Sequence, residues 1–337
     1  MWQFDDILSA SDRRGTHAMI VIDGGMLEGG GQIIRTAVAV STLTGDPVHI
    51  INIRRKRSSP GLAAQHLAAV FAAAAVSDAR IVSGEIGSTE ISFYPGTLEK
   101  KDITIDIGTA GSIPLVLSAW LPIALRCGGS ITVTGGTEVK AAPTIDYFKD
   151  VFLQYLTAHG ARVTLSIEAR GYFPAGGGKV RVIAMPSELM PPGSAQSTGS
   201  GIISASCGLP DHVAERQAKS AAAIAGDLPV RIDRQKGPGI GSSCTVYSGS
   251  HGGSALGRRG LPAEDVGRMA AVAFLSNQGG DVDFHLFDQL LLYLAMNTGC
   301  ITTSRLTLHA RTVIRLLEHF GYHISIVEKS GFVEAYL

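Results

Sequence analysis

Apolar residues at Tyr147, Phe148, Val151, Phe152 and Tyr155 recur three and four positions apart, the spacing of one helix face. The same period predicts helices at Gln32–Thr44, Gly61–Val76, Ser112–Arg126, Thr144–His159, Phe287–Asn297 and Leu308–Phe320. β-Branched runs between glycine or proline stops predict strands at Val48–Ile53, near Ala79–Gly84 and Thr89–Tyr94, at Ser130–Thr134, from Arg162 and from Lys179, and at Cys300–Ser304, His323–Val327 and Gly331–Tyr336. One order, helix, strand, helix, strand, strand, is thus written three times. The second copy follows the first by about 80 residues and the third is late by roughly 90 more, so a separate segment is inserted before it. That insert opens on Met190-Pro191-Pro192-Gly193-Ser194. It then reads strand, helix (His212–Ala225), strand (Val230–Arg234), strand (Cys244–Ser248), helix (Ala263–Ser276), enough for a small α/β domain.

The expected organisation is an extension over residues 1–18, a large domain with repeats one and two over 19–185, the insert over 186–280, and repeat three over 281–337. Each repeat lays two helices on one face of a short sheet. Three such units bury their apolar faces with helices inward and sheets outward, and sites form where they meet.

Composition supports a compact chain: 45% hydrophobic and 17% charged residues over 337 positions provide ample core material. Cys127, Cys207, Cys244 and Cys300 lie far apart with no CxxC pair, which fits a reducing compartment and argues against a disulfide framework or structural zinc. No apolar stretch is long enough to span a bilayer, and the start MWQFDDILSASDRRGTHA lacks the basic-then-apolar order of a signal peptide; the expected location is the cytoplasm. With 29 basic and 29 acidic residues no global field draws the chain onto long nucleic acid, so any such contact must be local.

The chemistry concentrates in a few places. The run Asp23-Gly24-Gly25-Met26-Leu27-Glu28-Gly29-Gly30-Gly31-Gln32, leading to Arg35, sets a carboxylate and a guanidinium around a glycine turn at the mouth of an apolar helix, where backbone N–H groups favour phosphate. Such turns also arise simply because a backbone must turn tightly. The cluster Arg54-Arg55-Lys56-Arg57 could hold a few phosphates or be a solvated strand end. A dinucleotide fold is poorly supported, because Gly24–Gly31 lacks the GxGxxG spacing with an acidic residue about 20 positions on.

Glu28–Arg35, the pair Arg54 and Arg57, Pro60-Gly61-Leu62 with Gln65-His66, Gly108-Thr109-Ala110-Gly111-Ser112, Gly171-Tyr172-Phe173-Pro174-Ala175-Gly176-Gly177-Gly178, His212-Val213-Ala214-Glu215-Arg216, Asp288-Gln289-Leu290 and His309 occur in one order. Together they closely resemble the RNA 3′-terminal phosphate cyclases, from Met19 to the C-terminus. The resemblance implies an α/β fold. It would have three units of two helices on a four-stranded sheet, like the C-terminal domain of translation initiation factor 3, plus the inserted smaller α/β domain. It also implies ATP-dependent conversion of an RNA 3′-phosphate to a 2′,3′-cyclic phosphate through adenylate intermediates. The substrates would be ATP and phosphate-bearing RNA 3′ ends, with no obligate protein partner.

The resemblance makes His309 the adenylated residue, and a neutral imidazole suits that step because it is nucleophilic near neutral pH. It places His285, Leu286, Phe287, Asp288 and Gln289 in the ATP site and Pro143 at the adenine. It gives Glu28 the divalent metal, Mg²⁺ or Mn²⁺, and gives Arg35, Arg54 and Arg57 the RNA or ATP phosphates, with Gln65 and His66 beside them. On the residues alone, His309 reads as an ordinary N-terminal helix histidine, Asp288 as a helix cap, Glu28 as a dipole-favoured glutamate and His66 as a packing residue. Val313 and Ser118 stand where relatives often carry asparagine and usually carry glutamine. GYFPAGGG is expected to shape a hairpin between repeats rather than touch phosphate. Two rivals fit less well: non-catalytic nucleolar cyclase-like proteins lack the histidine, and enolpyruvyl transferases lack GYFPAGGG and HVAER.

Overall fold

A computed structural model describes residues 18–194 and 199–337. The expected extension over residues 1–18 lies, apart from Ala18, outside the described residues.

The chain begins with β1 (Ile20–Asp23), α1 (Gln32–Thr44), β2 (Val48–Ile51), α2 (Ala64–Ala75), β3 (Arg80–Val82) and β4 (Ile91–Tyr94), whose strands lie in the order β1-β2-β4-β3. Next come β5 (Lys101–Asp106), α3 (Ile113–Cys127), β6 (Gly129–Gly135), α4, β7 (Arg162–Ala169) and β8 (Gly178–Met185), in the matching order β5-β6-β8-β7. Helix α4 runs from Ile145 to Ala158 through a π-helical stretch at Phe148–Leu153. In both sheets the first two strands are parallel and joined through a helix, as parallel neighbours require. The other pairs are antiparallel.

The sheet of the expected small domain, here the small sheet, follows, with β9 (Ser200–Cys207), α5 (Asp211–Ala225), β10 (Val230–Gln235), β11 (Gly241–Ser248), β12 (His251–Leu256) and α6 (Ala263–Ser276), its four strands in the order β10-β9-β11-β12. It has its own core around Ile202, Cys244, Val246, Val266 and Phe274. The chain ends with α7 (Phe284–Asn297), β13 (Cys300–Thr303), α8 (Leu308–Glu318), β14 (Ser325–Lys329) and β15 (Phe332–Tyr336), a three-stranded sheet ordered β13-β15-β14. The expected third unit thus has three strands rather than four. Helices of the first, second and last sheets meet: α1 packs on α3 and α8, and α2 packs on α3. Ile33, Val38, Trp120, Phe148, Phe287 and Leu290 are sealed in the core they share.

Three strands escape the sequence pattern for physical reasons. β1 is a short edge strand. β5 alternates apolar residues with charged ones at an edge, so only one face is half covered. β12, His-Gly-Gly-Ser-Ala-Leu, reads as a loop, yet Gly253 lets α6 approach so closely that a side chain there would strike the Phe274 backbone. Helix α7 also begins earlier than its periodicity suggests, because Asp283 caps it: Oδ1 accepts from the His285 and Leu286 N–H groups at 2.8 and 2.9 Å. Asp288 therefore sits in the second turn and is not the cap.

A buried ionic joint locks the small sheet to the second large one. Arg170, fully buried just after β7, meets Glu138 at 2.6 Å, both oxygens of Asp146 at 2.8 Å, and Asp233 of β10 at 2.7 Å. Burial pushes the Glu138 carboxyl up despite Arg170 beside it. Burial works against the Arg170 charge too, but Asp146 and Glu138 outweigh it and hold the guanidinium protonated. Among the described residues no helix is long and apolar enough to cross a membrane.

Candidate active site

The glycine turn between β1 and α1 is held from beneath by Asp23, which accepts from the Gly25 N–H at 2.9 Å and from Asn52 at 3.1 Å. Leu27 and Gly29 adopt left-handed backbone angles, φ 45° and 60°, and so bring Glu28 round to face α8. The turn closes at Gly31, where any side chain would run into the His66 ring.

Glu28 then collects three donors. His309 Nδ1 lies 2.6 Å from Oε2, Gln32 Nε2 donates to the same oxygen at 2.9 Å, and Arg57 donates to Oε1 at 2.5 Å. Burial alone would raise the Glu28 pKa, but the hydrogen bonds from His309, Gln32 and Arg57 prevail and hold it at about 2. The stabilisation from that shift is complete above the ordinary glutamate range and drains away as pH falls towards 2. An ionised carboxylate this close to Nδ1 accepts a hydrogen bond from it. Whenever the imidazole is neutral its one proton is then on Nδ1 and Nε2 keeps its lone pair, on a side chain that is half exposed.

Helix α8 is aimed by Thr307. Its hydroxyl caps the helix, accepting from the Ala310 N–H at 2.9 Å, and donates to Asp288 Oδ1 at 2.7 Å. Burial pushes the Asp288 carboxyl up to about 7, against the Thr307 hydrogen bond and the nearby His309. On α7 the helical period divides the sequence-predicted ATP residues. His285, Asp288 and Gln289 line a cavity of about 590 Å³, whereas Leu286 and Phe287 are wholly buried core residues and are absent from its walls. The expectation that those two side chains face a nucleotide is corrected accordingly. His285 is packed against Phe284, and burial, Arg305 and His309 all keep its pKa below the ordinary histidine range.

The cavity joins four parts of the chain. Gln32 and Arg35 come from α1, and Ser118 and Pro143 from the second unit. Gly252 and Asn277 come from the small sheet and its helix, and His309 and Val313 from α8. Tyr147 fastens this meeting point: its hydroxyl donates to Asp283 at 2.8 Å, and Asp283 also accepts from the Gly252 N–H at 2.9 Å. Burial raises the Asp283 carboxyl to about 6 even with these bonds.

Arg35 lines the cavity with no hydrogen-bond partner among the described residues, and burial lowers its guanidinium to about 10. His66 Nδ1 accepts from the Ala63 N–H at 3.1 Å; burial, Arg35 and Arg54 depress its pKa to about 3, so it is a neutral ring with Nε2–H turned to the glycine turn. Arg54 donates to the Gly61 carbonyl at 2.8 Å, and burial and Arg57 lower its pKa. Gln65 accepts from the Ser112 N–H at 2.9 Å, tying α2 to the 108–112 turn. Glu28, Arg57 and His309 thus meet directly, Arg35 and His66 flank them, and Gln65 stands one residue away. Sequence reasoning missed Gln32, Thr307 and the Tyr147–Asp283 pair; of these Thr307 and Asp283, residue types favoured at the start of a helix, carry a local capping signal. Among the described residues no three His, Cys, Asp or Glu side chains gather into a metal-binding group.

The model of the RNA 3′-terminal phosphate cyclase family matches residues 26–326. The chain belongs to this family. An RNA 3′-terminal phosphate cyclase of Pyrobaculum aerophilum is 42% identical to it over 333 residues, 92% of this chain and 95% of that one. The cyclase of Archaeoglobus fulgidus is 44% identical, covering 90% and 95%. That of Nitrosospira multiformis is 42% identical, covering 89% and 90%. Within the cyclase family's matched span lie Glu28, Gln32, Arg35, Arg57, His66, Asp288 and His309; Asp23, which holds the glycine turn, precedes it.

Proposed function

We propose that the protein converts an RNA 3′-terminal phosphate into a 2′,3′-cyclic phosphodiester at the expense of ATP, with His309 as the adenylated nucleophile. The observation that carries the reading is the 2.6 Å approach of His309 Nδ1 to Glu28 at the edge of the cavity, which orients Nε2 as the free nitrogen. Adenine would enter between Pro143 and His285. Arg35 and Arg57 would grip phosphates, for which a guanidinium fork is better shaped than an ammonium.

In the first step Nε2 attacks the α-phosphorus of ATP, the bond to the bridging oxygen breaks, and pyrophosphate leaves. The phosphoramidate ring keeps its proton on Nδ1, facing Glu28. An oxygen of the RNA 3′-phosphate then attacks the same phosphorus and the electron pair returns to Nε2, giving RNA(3′)pp(5′)A. Finally the 2′-hydroxyl, giving up its proton, closes on the 3′-phosphorus and AMP departs. Glu28 is a single carboxylate, so a bound Mg²⁺ or Mn²⁺ would need the phosphate oxygens of ATP to complete its ligands; the ion would neutralise charge on the departing pyrophosphate. We read the first, second and last sheets with their helices as copies of one unit resembling the C-terminal domain of translation initiation factor 3, the last copy with one strand fewer. The large domain would then be residues 19–185 and 281–337, with 186–280 inserted.

Incubation with α-labelled ATP and divalent metal should leave acid-labile AMP on the protein, and His309→Ala should abolish it. Labelling that persists in the variant would put the nucleophile elsewhere.

A further inference from the structure

The GYFPAGGG run takes no part in the site described so far. It forms the connection between β7 and β8, with the Gly176 N–H donating to the Tyr172 carbonyl at 2.8 Å and the Gly171 N–H to Thr137 at 2.9 Å. The connection lies flat on two neighbours. A side chain on Gly176 would press on Ala110 at 3.1 Å, and one on Gly177 would collide with Pro238. Its two adjacent aromatics have opposite fates. Tyr172 is buried with its ring over Gly241 and its hydroxyl 3.4 Å from Ser243, whereas Phe173 is 78% exposed at the tip, between the anchor and the exposed Pro174 and Ala175.

A lone exposed aromatic is ordinary on a protein surface. What distinguishes Phe173 is the ground on which its hairpin stands. Gly176 rests on Thr109 and Ala110; the same turn, through Gly111 and Ser112, rests on Gln65; and Gln65 adjoins His66, next to Arg35 and the Arg54–Arg57 segment. Thr109 and Gly108 are exposed on the turn that links the two. An exposed aromatic joined through one turn to a segment rich in guanidinium groups supplies the two elements that bind single-stranded RNA, rings that stack bases and arginines that hold phosphates.

We infer that Phe173 is a stacking platform for a nucleobase of the RNA strand upstream of its reacting 3′ end; the inference rests on the RNA reading of the site. The strand would run from the His309 pocket past the 108–112 turn to the hairpin tip. Phe173 would then govern how RNA is held and leave the reaction of ATP with His309 untouched.

The test uses the full-length protein and short RNAs ending in a 3′-phosphate, with 2-aminopurine placed at each of the last few positions in turn. The wild type should quench the fluorophore at one position, and Phe173→Ala should not. That variant should take AMP from ATP at the wild-type rate, cyclise with kcat within about twofold, and show an RNA KM raised about 5- to 150-fold, the range of one base–aromatic stack. Phe173→Trp should restore the wild-type KM. An RNA abasic at the quenched position should bind wild type and Phe173→Ala equally. An unchanged RNA KM in Phe173→Ala, or quenching that survives the substitution, would overturn the inference, as would a defect that the abasic RNA does not erase. A wild type that takes up no AMP would instead sink the assignment of His309, and the binding measurement would still decide the fate of Phe173.

Discussion

Two charged centres, one at Arg170 and one at Glu28, are built from the same ingredients and serve opposite ends. Arg170 is enclosed with Glu138, Asp146 and Asp233, and the group joins two sheets. Glu28 meets Arg57 and His309 where both partners remain about half exposed at the edge of a cavity. The sealed centre has already paid its desolvation, so its partners cannot be exchanged and it specifies how the small sheet docks. The open centre keeps its partners replaceable: Arg57 can turn to a phosphate and His309 can accept a nucleotidyl group without either being stranded in the core. Access to water, more than residue type, separates a structural ion cluster from a reactive one.

That contrast can be broken from either side. Arg170→Leu would leave two buried carboxylates facing each other, and the expected loss is about 3–5 kcal/mol in urea unfolding; a loss under about 1 kcal/mol would show the joint to be dispensable. Asp288→Asn tests the boundary between the two kinds of site. The folded carboxyl, raised by burial to about 7, destabilises the protein increasingly as pH climbs from the ordinary aspartate range to 7, so the variant's stability advantage should grow from near zero at pH 4 to at most about 4 kcal/mol at pH 8. A pH-independent difference would mean that Asp288 titrates normally.

Glu28→Gln keeps an acceptor for His309 but removes the charge. AMP labelling should slow about 10- to 100-fold, and the melting temperature near neutral pH should fall because the stabilisation from the lowered Glu28 pKa is lost; a labelling loss that is equal at low and saturating metal would count against a metal contact. The smallest effect is expected from Arg54→Ala with Arg57→Ala. Assayed on enzyme already carrying AMP, it should raise the RNA KM roughly tenfold and flatten the logarithmic salt dependence by about 1.4. Unchanged kinetics would mark the cluster as solvated surface.

Much of the scaffold was legible in the chain because amphipathic helices announce themselves locally: Gln32–Thr44 has the same limits in sequence and structure. Edge strands such as β1 and β5 carry no such signal, since their pairing is supplied by neighbours and their faces are half wet. The Arg170 joint was invisible for a related reason. Its partners lie 24 to 63 residues away, and nothing local marks a lone arginine as buried. His309 was singled out through its resemblance, whereas its contact with Glu28 and the capping of its helix by Thr307 needed the fold. The misplaced pair Leu286 and Phe287 shows the limit of carrying a contiguous motif across whole: a helix turns every second or third residue away from the site.

Helix α8 meets the glycine turn across a sequence separation of 284 residues, from Glu28 to Thr312, and this imposes an order on synthesis. The glycine turn, the arginines and the first walls of the cavity are translated long before Thr307 and His309. A molecule cut ahead of α8 would keep much of the cavity's lining and lose the side chain proposed as nucleophile, so cutting there would separate the forming of the cavity from the reaction proposed for it.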